Sequence, residues 1–278
     1  MSVCECYWLG DAPQRDVELV RLVVDDRLPI TCNPEELPGR LELIREIRGF
    51  VGAMGATVVF PAGIIQVRVP CVGAELVPPC VPESLRQLVA AEGPEILVGL
   101  DLLDMRGRRC VQTIVSLTRL GSQPTLTHKL HPAKGERLKA RDVCDRAGSI
   151  PLELARRRVQ LQCGFALLLV CHDAVLFSGR SEKGLKDAMA VAIRDDVRRQ
   201  AQAMPALEYV VIATHWQHGK RSGHAFRNAA TRLQGMTTAT VVTALSGPGG
   251  ELETLAERFV TSGPGSTRTA TLIVRPAR

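Results

Sequence analysis

Short apolar runs alternate along the chain with longer segments in which apolar residues recur every three or four positions. The first pattern is typical of β-strands and the second of amphipathic helices. Their alternation predicts a layered α/β protein. The predicted strands cover residues 17–24, 56–60, 96–103, 111–120, 159–162, 165–170, 209–213, 240–245 and 269–274. The predicted helices cover residues 35–54, 83–92, 182–203 and 225–234.

Three of these segments predict more than their own secondary structure. Only a few residues around Gly107 separate the strands 96–103 and 111–120, so we expect an antiparallel hairpin. The run 165–170 is wholly apolar, as in a strand whose sheet is covered on both faces. Residues 125–149 are polar and basic without a clear period, which indicates a long functional loop.

Composition narrows the class of protein. Of the 278 residues, 45% are hydrophobic and 23% are charged, which is ordinary for a globular chain. We expect a single domain over residues 1–278, with residues 1–16 as an N-terminal extension. The net charge of +6 permits weak attraction to polyanions, so nucleic-acid binding is kept as a third hypothesis. Aromatic residues are only 4% of the chain and no nucleic-acid motif accompanies the basic runs 156–158 and 220–221, which we expect to be solvated.

The same sequence indicates a compartment. The longest uncharged apolar run, Cys163 to Cys171, is far shorter than the roughly 20 residues that cross a bilayer, so no membrane partner is expected. Residues 1–16 lack a basic region followed by an apolar one, so they do not form a secretory signal. Nine scattered cysteines suit a reducing compartment better than a disulfide framework. We therefore expect a cytoplasmic protein with free thiols.

Three segments, in order along the chain, resemble motifs of one family. Residues 57–61 read Thr-Val-Val-Phe-Pro and resemble the segment of the carbon-nitrogen hydrolase (nitrilase) superfamily that closes with a glutamate directly after Phe-Pro. Here Ala62 stands at the glutamate position. Residues 127–136 resemble the family's lysine segment, in which a lysine is followed by Pro and then by Gly-Glu. Lys129 and Glu136 fall in place.

The third segment, residues 167–173, resembles the apolar strand that delivers the nucleophilic cysteine. Cys171 is the matching residue. Residues 207–216 are similar to the next family strand, which ends in a short polar loop carrying a tryptophan. His128 and Trp216 are therefore candidate pocket residues. The order and spacing of all these segments carry the resemblance, which extends over most of the chain.

The resemblance implies a four-layer α-β-β-α sandwich of the nitrilase type and a thioester mechanism. In that mechanism the thiolate of Cys171 attacks a small amide, carbamoyl or nitrile compound. Lys129 stabilises the developing charge, and Glu136 supports Lys129. The resemblance also implies a homodimer or larger homo-oligomer, and it implies no cofactor.

The position of Ala62 leaves this mechanism without its general base. General acid-base catalysis typically contributes about 10²- to 10⁴-fold. His172 and Glu136 are the candidate substitutes. Successive side chains of a strand point to opposite faces, so His172 can help Cys171 only if the chain turns sharply there. Two functions stay open: a divergent hydrolase with an altered base, or a catalytically inactive relative that binds a ligand or a partner.

Histidines raise a metal hypothesis that the spacing does not support. All six lie in the central part of the chain, and His215 and His218 are three residues apart. No nearby acidic or cysteine pair completes a tetrahedral zinc set, so we expect no metal. The eight cysteines other than Cys171 are expected to be small buried hydrophobes.

Overall fold

The computed structural model describes residues 4–11, 13, 16–25, 27, 37–54, 56–69, 71–72, 75–76, 81–90, 93–106, 109–117, 124–131, 155–179, 188–203, 207–215, 220–259, 261 and 263–277. The strands are β1 Cys4–Trp8, β2 Leu19–Asp25, β3 Thr57–Val59, β4 Ile65–Arg68, β5 Cys71–Val72, β6 Glu75–Leu76, β7 Ile96–Leu103, β8 Arg109–Leu117, β9 Thr125–His128, β10 Arg158–Leu161, β11 Gly164–Val170, β12 Tyr209–Ala213, β13 Thr240–Gly247 and β14 Thr269–Pro276. The helices are α1 Leu37–Val51, α2 Glu83–Ala90, α3 His172–Val175, α4 Ala188–Gln202, α5 Lys220–Met236 and α6 Leu252–Arg258.

Twelve of the described strands form one long sheet, whose main path has the order β10-β11-β12-β13-β2-β3-β7-β8-β9, and β5 and β6 form a separate two-stranded sheet. The centre of the long sheet, from β11 to β7, is parallel, and β7, β8 and β9 pair antiparallel at one end. The predicted hairpin is therefore confirmed as β7–β8. The β14 strand lies parallel to β2, and β4 lies parallel to β7.

Two separate cores show that this sheet is folded into a sandwich. Along β2, Leu19 and Val23 belong to one buried cluster, whereas Val20, Leu22 and Val24 belong to the other. The first cluster also takes in β11, β12, β13, α4 and α5, and the second takes in α1 and α2. The β11 strand contacts β8 and β9, which lie far from it in the strand order. The layers thus run helices, half-sheet, half-sheet, helices, and the predicted four-layer α-β-β-α architecture is confirmed.

Burial explains why the central strands were visible in the sequence. Every residue of β12 and β13 is buried, as expected for parallel strands covered on both faces. The whole of β7 is buried as well, and its bounds match the prediction.

The structure differs from the expectation at the ends and in the connections. The predicted N-terminal extension contains β1, which pairs antiparallel with β14. A half-exposed strand without apolar alternation leaves little signal in a sequence. The region 125–149, expected to be a loop, begins with β9, and its residues 132–149 lie outside the described part.

The basic run 156–158 was expected to be solvated, and this is wrong at Arg157. Its side chain is fully buried and pairs with Asp173, with 3.0 Å between Nη2 and Oδ2. A guanidinium can be buried when a carboxylate and carbonyl oxygens accept its hydrogen bonds.

Within the described residues, no helix is long and apolar enough to cross a membrane.

Candidate active site

The candidate site lies where two neighbouring parallel strands end. Val170, the last residue of β11, is paired with Ala213, the last residue of β12. Cys171 follows the first strand, and Thr214 and His215 follow the second. The amide of Cys171 donates to the carbonyl of Ala213 at 2.8 Å, which fixes the two strand ends together. Carboxyl ends of parallel strands are where α/β proteins commonly place their sites.

Cys171 occupies a strained turn. Its φ of 46° is positive, and it is the only non-glycine residue with positive φ in the described part of the chain. The chain turns there from β11 into α3, and the amide of Ala174 donates back to the carbonyl of Cys171 at 3.1 Å. Backbone strain of this kind costs about 1–3 kcal/mol and persists only when the surroundings impose it. The sharp turn that a role for His172 required is therefore present.

The sulfur of Cys171 is buried beside hydrogen-bonding groups. Its side chain is 2% exposed. Thr214 Oγ1 donates to Sγ at 3.7 Å, and Nδ1 of His215 lies 4.0 Å from Sγ. Burial acts to raise the pKa of the thiol, but opposing contributions, of which the positive charge of Lys129 is the largest, outweigh it and lower the pKa. The environment therefore favours the thiolate.

Lys129 is held by the hairpin. Its side chain is 2% exposed, and Nζ donates to Oε1 of Gln112 at 2.7 Å. The backbone amide of Lys129 also donates to the carbonyl of Gln112, at 2.8 Å. In turn Nε2 of Gln112 donates to Oδ1 of Asp101 at 2.9 Å and lies 3.0 Å from Nδ1 of His215. Four elements thus meet at one glutamine.

Asp173 ties the lysine segment to the cysteine turn. Its Oδ1 accepts from the amides of Leu130 and His131 at 3.0 and 2.7 Å, while its Oδ2 pairs with Arg157. These amides directly follow Lys129, and Asp173 follows Cys171 by two positions. The buried carboxylate therefore holds the backbone that follows Lys129 against the turn that follows Cys171.

The other predicted site residues are placed as follows. His172 stacks near His131, with 6.2 Å between ring centroids, and burial followed by the charge of Lys129 lowers its pKa to about 4. His128 shares a 2.7 Å hydrogen bond with Thr113, and burial followed by neighbouring arginines lowers its pKa to about 4.

Ala62 is buried, and it belongs to the same apolar cluster as Leu130 and Cys171. Glu136 and Trp216 lie outside the described residues. The structure thus brings Cys171 and Lys129 into one polar environment with Ala62 in the adjoining core.

Four residues of this site were missed by the sequence analysis: Asp101, Gln112, Thr214 and His215. A signal for Asp101 was present, because it is the one polar side chain in the otherwise apolar strand β7, whereas Gln112 lies in a strand with several polar residues. Buried polar groups need partners, and the hairpin register places Asp101 directly opposite Gln112. His215 was considered only as a metal ligand. Among the described residues, no group of three or more His, Cys, Asp or Glu side chains is arranged to hold a metal.

No model of a known protein family and no curated protein matches the sequence. Solved structures with a similar fold include the NitN amidase from Neterenkonia sp. AN1, at 14% identity and a TM-score of 0.46, covering 93% of this chain and 92% of the amidase. A CN-hydrolase superfamily protein from Xanthomonas campestris with an arsenic adduct in its active site is 12% identical, with a TM-score of 0.45, covering 83% of this chain and 74% of that protein. A glutamine-dependent NAD+ synthetase from Acinetobacter baumannii is 11% identical, with a TM-score of 0.39, covering 75% of this chain and 35% of the synthetase.

Proposed function

We propose that this protein is a carbon-nitrogen hydrolase-like enzyme that forms a thioester between Cys171 and a small amide, carbamoyl or nitrile compound. The observation that carries the proposal is the sulfur of Cys171, presented on a strained turn with its pKa lowered by the charge of Lys129. Perturbed titratable groups of this kind cluster at functional sites. The resemblance noted in the sequence supplies the reaction class.

The proposed reaction on an amide has two stages. The thiolate forms an S–C bond to the carbonyl carbon, the C–N bond breaks, and the amine leaves with a proton taken from water. Water then adds to the thioester, and the S–C bond breaks to release the acid and restore the thiol. Lys129 is buried near the sulfur, where its ammonium would stabilise the negative oxygen that forms at each addition.

Alanine at position 62 leaves this reaction without a carboxyl group to transfer protons. A thiolate stabilised by Lys129 can attack without a base, but an amine leaving group also needs a proton, and Ala62 has none to give. We therefore propose that activated esters acylate Cys171 faster than simple amides do, by a factor on the order of 10²–10⁴.

A second candidate function is that of a catalytically inactive protein that binds a small amide-like ligand. Alanine at position 62 favours this alternative, because its side chain has no carboxylate and lies buried in the apolar cluster. The variant Ala62→Glu separates the two candidates. If the remaining machinery is intact, the added carboxylate increases amide hydrolysis relative to ester hydrolysis.

The test of the first candidate is intact-mass analysis after incubation with simple amides, nitriles and an activated ester, together with an assay for ammonia. We expect an acyl adduct that is lost in Cys171→Ala and retained in Cys163→Ala. Cys163 is a suitable control because it lies at the other end of the same strand, is partly buried and has a raised pKa. No adduct and no ammonia with the whole panel would reject the enzymatic function. Our expectations of a small-molecule ligand and a homo-oligomer belong to this proposal.

A further inference from the structure

The side-chain amide of Gln112 connects three polar groups of the site. It makes hydrogen-bond contacts of 2.7 Å with Lys129, 2.9 Å with Asp101 and 3.0 Å with His215. The glutamine is fully buried, and the lysine and aspartate are at most 2% exposed. Water therefore competes little for these contacts, and the arrangement must be decided by the groups themselves.

The chemistry of the neighbours determines which way this amide points. An ammonium can only donate, so the oxygen of Gln112 must face Lys129. An ionised carboxylate can only accept, so the nitrogen of Gln112 must face Asp101. The amide nitrogen carries two hydrogens. One goes to Oδ1 of Asp101, which leaves the other for Nδ1 of His215.

This orientation also determines the proton position on His215. A ring nitrogen that accepts a hydrogen bond carries no proton. His215 is then a neutral imidazole with its proton on Nε2, and its Nδ1 lone pair is engaged by Gln112. Two neighbouring groups, the cation of Lys129 on the same glutamine and the second imidazole of His172, disfavour a further positive charge on the ring. The carboxylate of Asp101 and the thiolate of Cys171, whose Sγ lies 4.0 Å from Nδ1, favour such a charge. These charges oppose one another, so the 3.0 Å contact with the Gln112 amide decides the tautomer.

Asp101 supplies the negative charge that this arrangement needs. The carboxylate is 1% exposed and lies one amide group away from the buried ammonium of Lys129. It also lies beside the backbone that carries Ala62, because a Cβ built on Gly63 would be 3.3 Å from Oδ2 of Asp101. Position 62 lacks a carboxylate, and Asp101 of β7 places one in the same region.

We propose that Asp101 is a positioning residue of the active site, which acts through the Gln112 amide to keep Lys129 aimed at the site and to hold His215 as the neutral tautomer protonated on Nε2. The inference rests on the proposed function for its catalytic meaning. The Nδ1 of His215, which lies 4.0 Å from Sγ of Cys171, is then occupied by the Gln112 amide, and this excludes it as the base for Cys171. Asp101 replaces the charge of the missing glutamate and does not replace its proton transfer.

The test is nuclear magnetic resonance of protein labelled with ¹⁵N-histidine, at pH 7 and without substrate. Long-range ¹H–¹⁵N correlations report directly which ring nitrogen carries the proton, and the signals of His215 are assigned by their loss in His215→Gln. We expect an unprotonated Nδ1 and a protonated Nε2. This measurement needs no folded variant of Asp101, so it decides the proposal even if that variant fails to fold.

Two variants extend the test. In Asp101→Asn the new amide can donate as well as accept, so Gln112 is free to turn over, and we expect the Nδ1-protonated form of His215 to become populated. In Gln112→Glu no amide hydrogen remains for Nδ1, and we expect His215 to take up a proton there. Asp104→Asn is the matched control. It makes the same change at a buried aspartate just beyond β7 that accepts from the amide of Arg106, and we expect no change in the His215 signals.

The proposal is overturned if His215 of the natural protein carries its proton on Nδ1 or on both nitrogens. It is also overturned if folded Asp101→Asn and Gln112→Glu both show the same tautomer as the natural protein. These readouts do not depend on turnover. Failure to form an acyl adduct would therefore count against the proposed function alone, and a wrong tautomer would count against the role of Asp101 alone.

Discussion

Two cysteines flank the same strand, and their surroundings are opposite. Cys163 precedes β11 and Cys171 follows it. Burial raises the pKa of the Cys163 thiol to about 12, with the carboxylates of Glu95 and Glu18 adding to burial and a hydrogen bond to Thr57 opposing it. At Cys171 burial is outweighed by opposing contributions, of which the charge of Lys129 is the largest, and the pKa falls. The comparison shows that the sign of the neighbouring charge decides which of the two thiols has a lowered pKa.

The largest expected effect is the loss of stability when the buried ion pair between Asp173 and Arg157 is broken. In Asp173→Asn, Arg157 keeps its buried charge but loses its counter-ion, and the amides of Leu130 and His131 lose an ionic acceptor. Breaking a buried pair in this way costs about 3–5 kcal/mol. We expect that loss in the free energy of unfolding measured by urea denaturation. Asp195→Asn, which removes partly exposed ion pairs with Arg194 and Arg198, should cost at most about 1 kcal/mol.

Removing the cation should make Cys171 resemble Cys163. In Lys129→Met burial is no longer opposed by the ammonium, so the pKa of Cys171 rises. The thiolate population at pH 7 falls about tenfold for each pH unit of that rise. Rates of iodoacetamide alkylation, followed by peptide mass spectrometry, measure this change. Lys129→Arg keeps the charge and should retain most of the reactivity. Equal rates in all three proteins would contradict the role of the charge.

Removing the anion should make Cys163 more like Cys171. Glu95 accepts from Thr57 Oγ1 at 2.7 Å and from the amide of Gln162 at 3.0 Å, and within the described residues its Oε1 has no hydrogen-bond partner. In Glu95→Gln the carboxylate charge disappears, so the pKa of Cys163 should fall and its alkylation should speed up several-fold at pH 9. The reactivity of Cys171 should not change, which provides an internal control.

Glu95 also makes stability depend on pH in a defined direction. Burial raises its pKa above the ordinary 4.5, so the folded protein holds this proton more tightly than the unfolded chain does. The stability gained from the proton is full below pH 4.5 and is lost as the pH rises through the folded pKa. We therefore expect the free energy of unfolding of the natural protein, relative to Glu95→Gln, to decline over that window. A difference that grows with pH would contradict the raised pKa.

The smallest expected effect is at Thr214. Its hydroxyl donates to Sγ of Cys171 at 3.7 Å, and Thr214→Val removes this donor at nearly constant volume. One hydrogen bond contributes about 0.5–1.5 kcal/mol, so alkylation of Cys171 at pH 7 should slow by about 2- to 10-fold. Thr113→Val, which alters the partner of His128, serves as the control and should leave the rate unchanged.

The sequence predicts the alternation of strands and helices from apolar periodicity, and it singles out Cys171 and Lys129 from short motifs. Both signals are local, because they depend only on residues that are close in the chain. It does not predict that Asp101 faces Gln112, since this depends on the hairpin register, and a shift of one residue would turn both side chains to the other face. The contact of His215 with Cys171 depends similarly on the register between β11 and β12. The positive φ of Cys171 is imposed by these surroundings and has no signature in its own residue type.

The most direct test of the account is the pH profile of iodoacetamide alkylation at Cys171 and Cys163 in the natural protein, resolved by peptide mass spectrometry. The account predicts that Cys171 reacts with a midpoint below the 9.0 of an ordinary thiol, whereas Cys163 stays unreactive until far higher pH. A midpoint of 9.0 or above at Cys171, or earlier reaction at Cys163, would contradict the claim that Cys171 is the activated nucleophile.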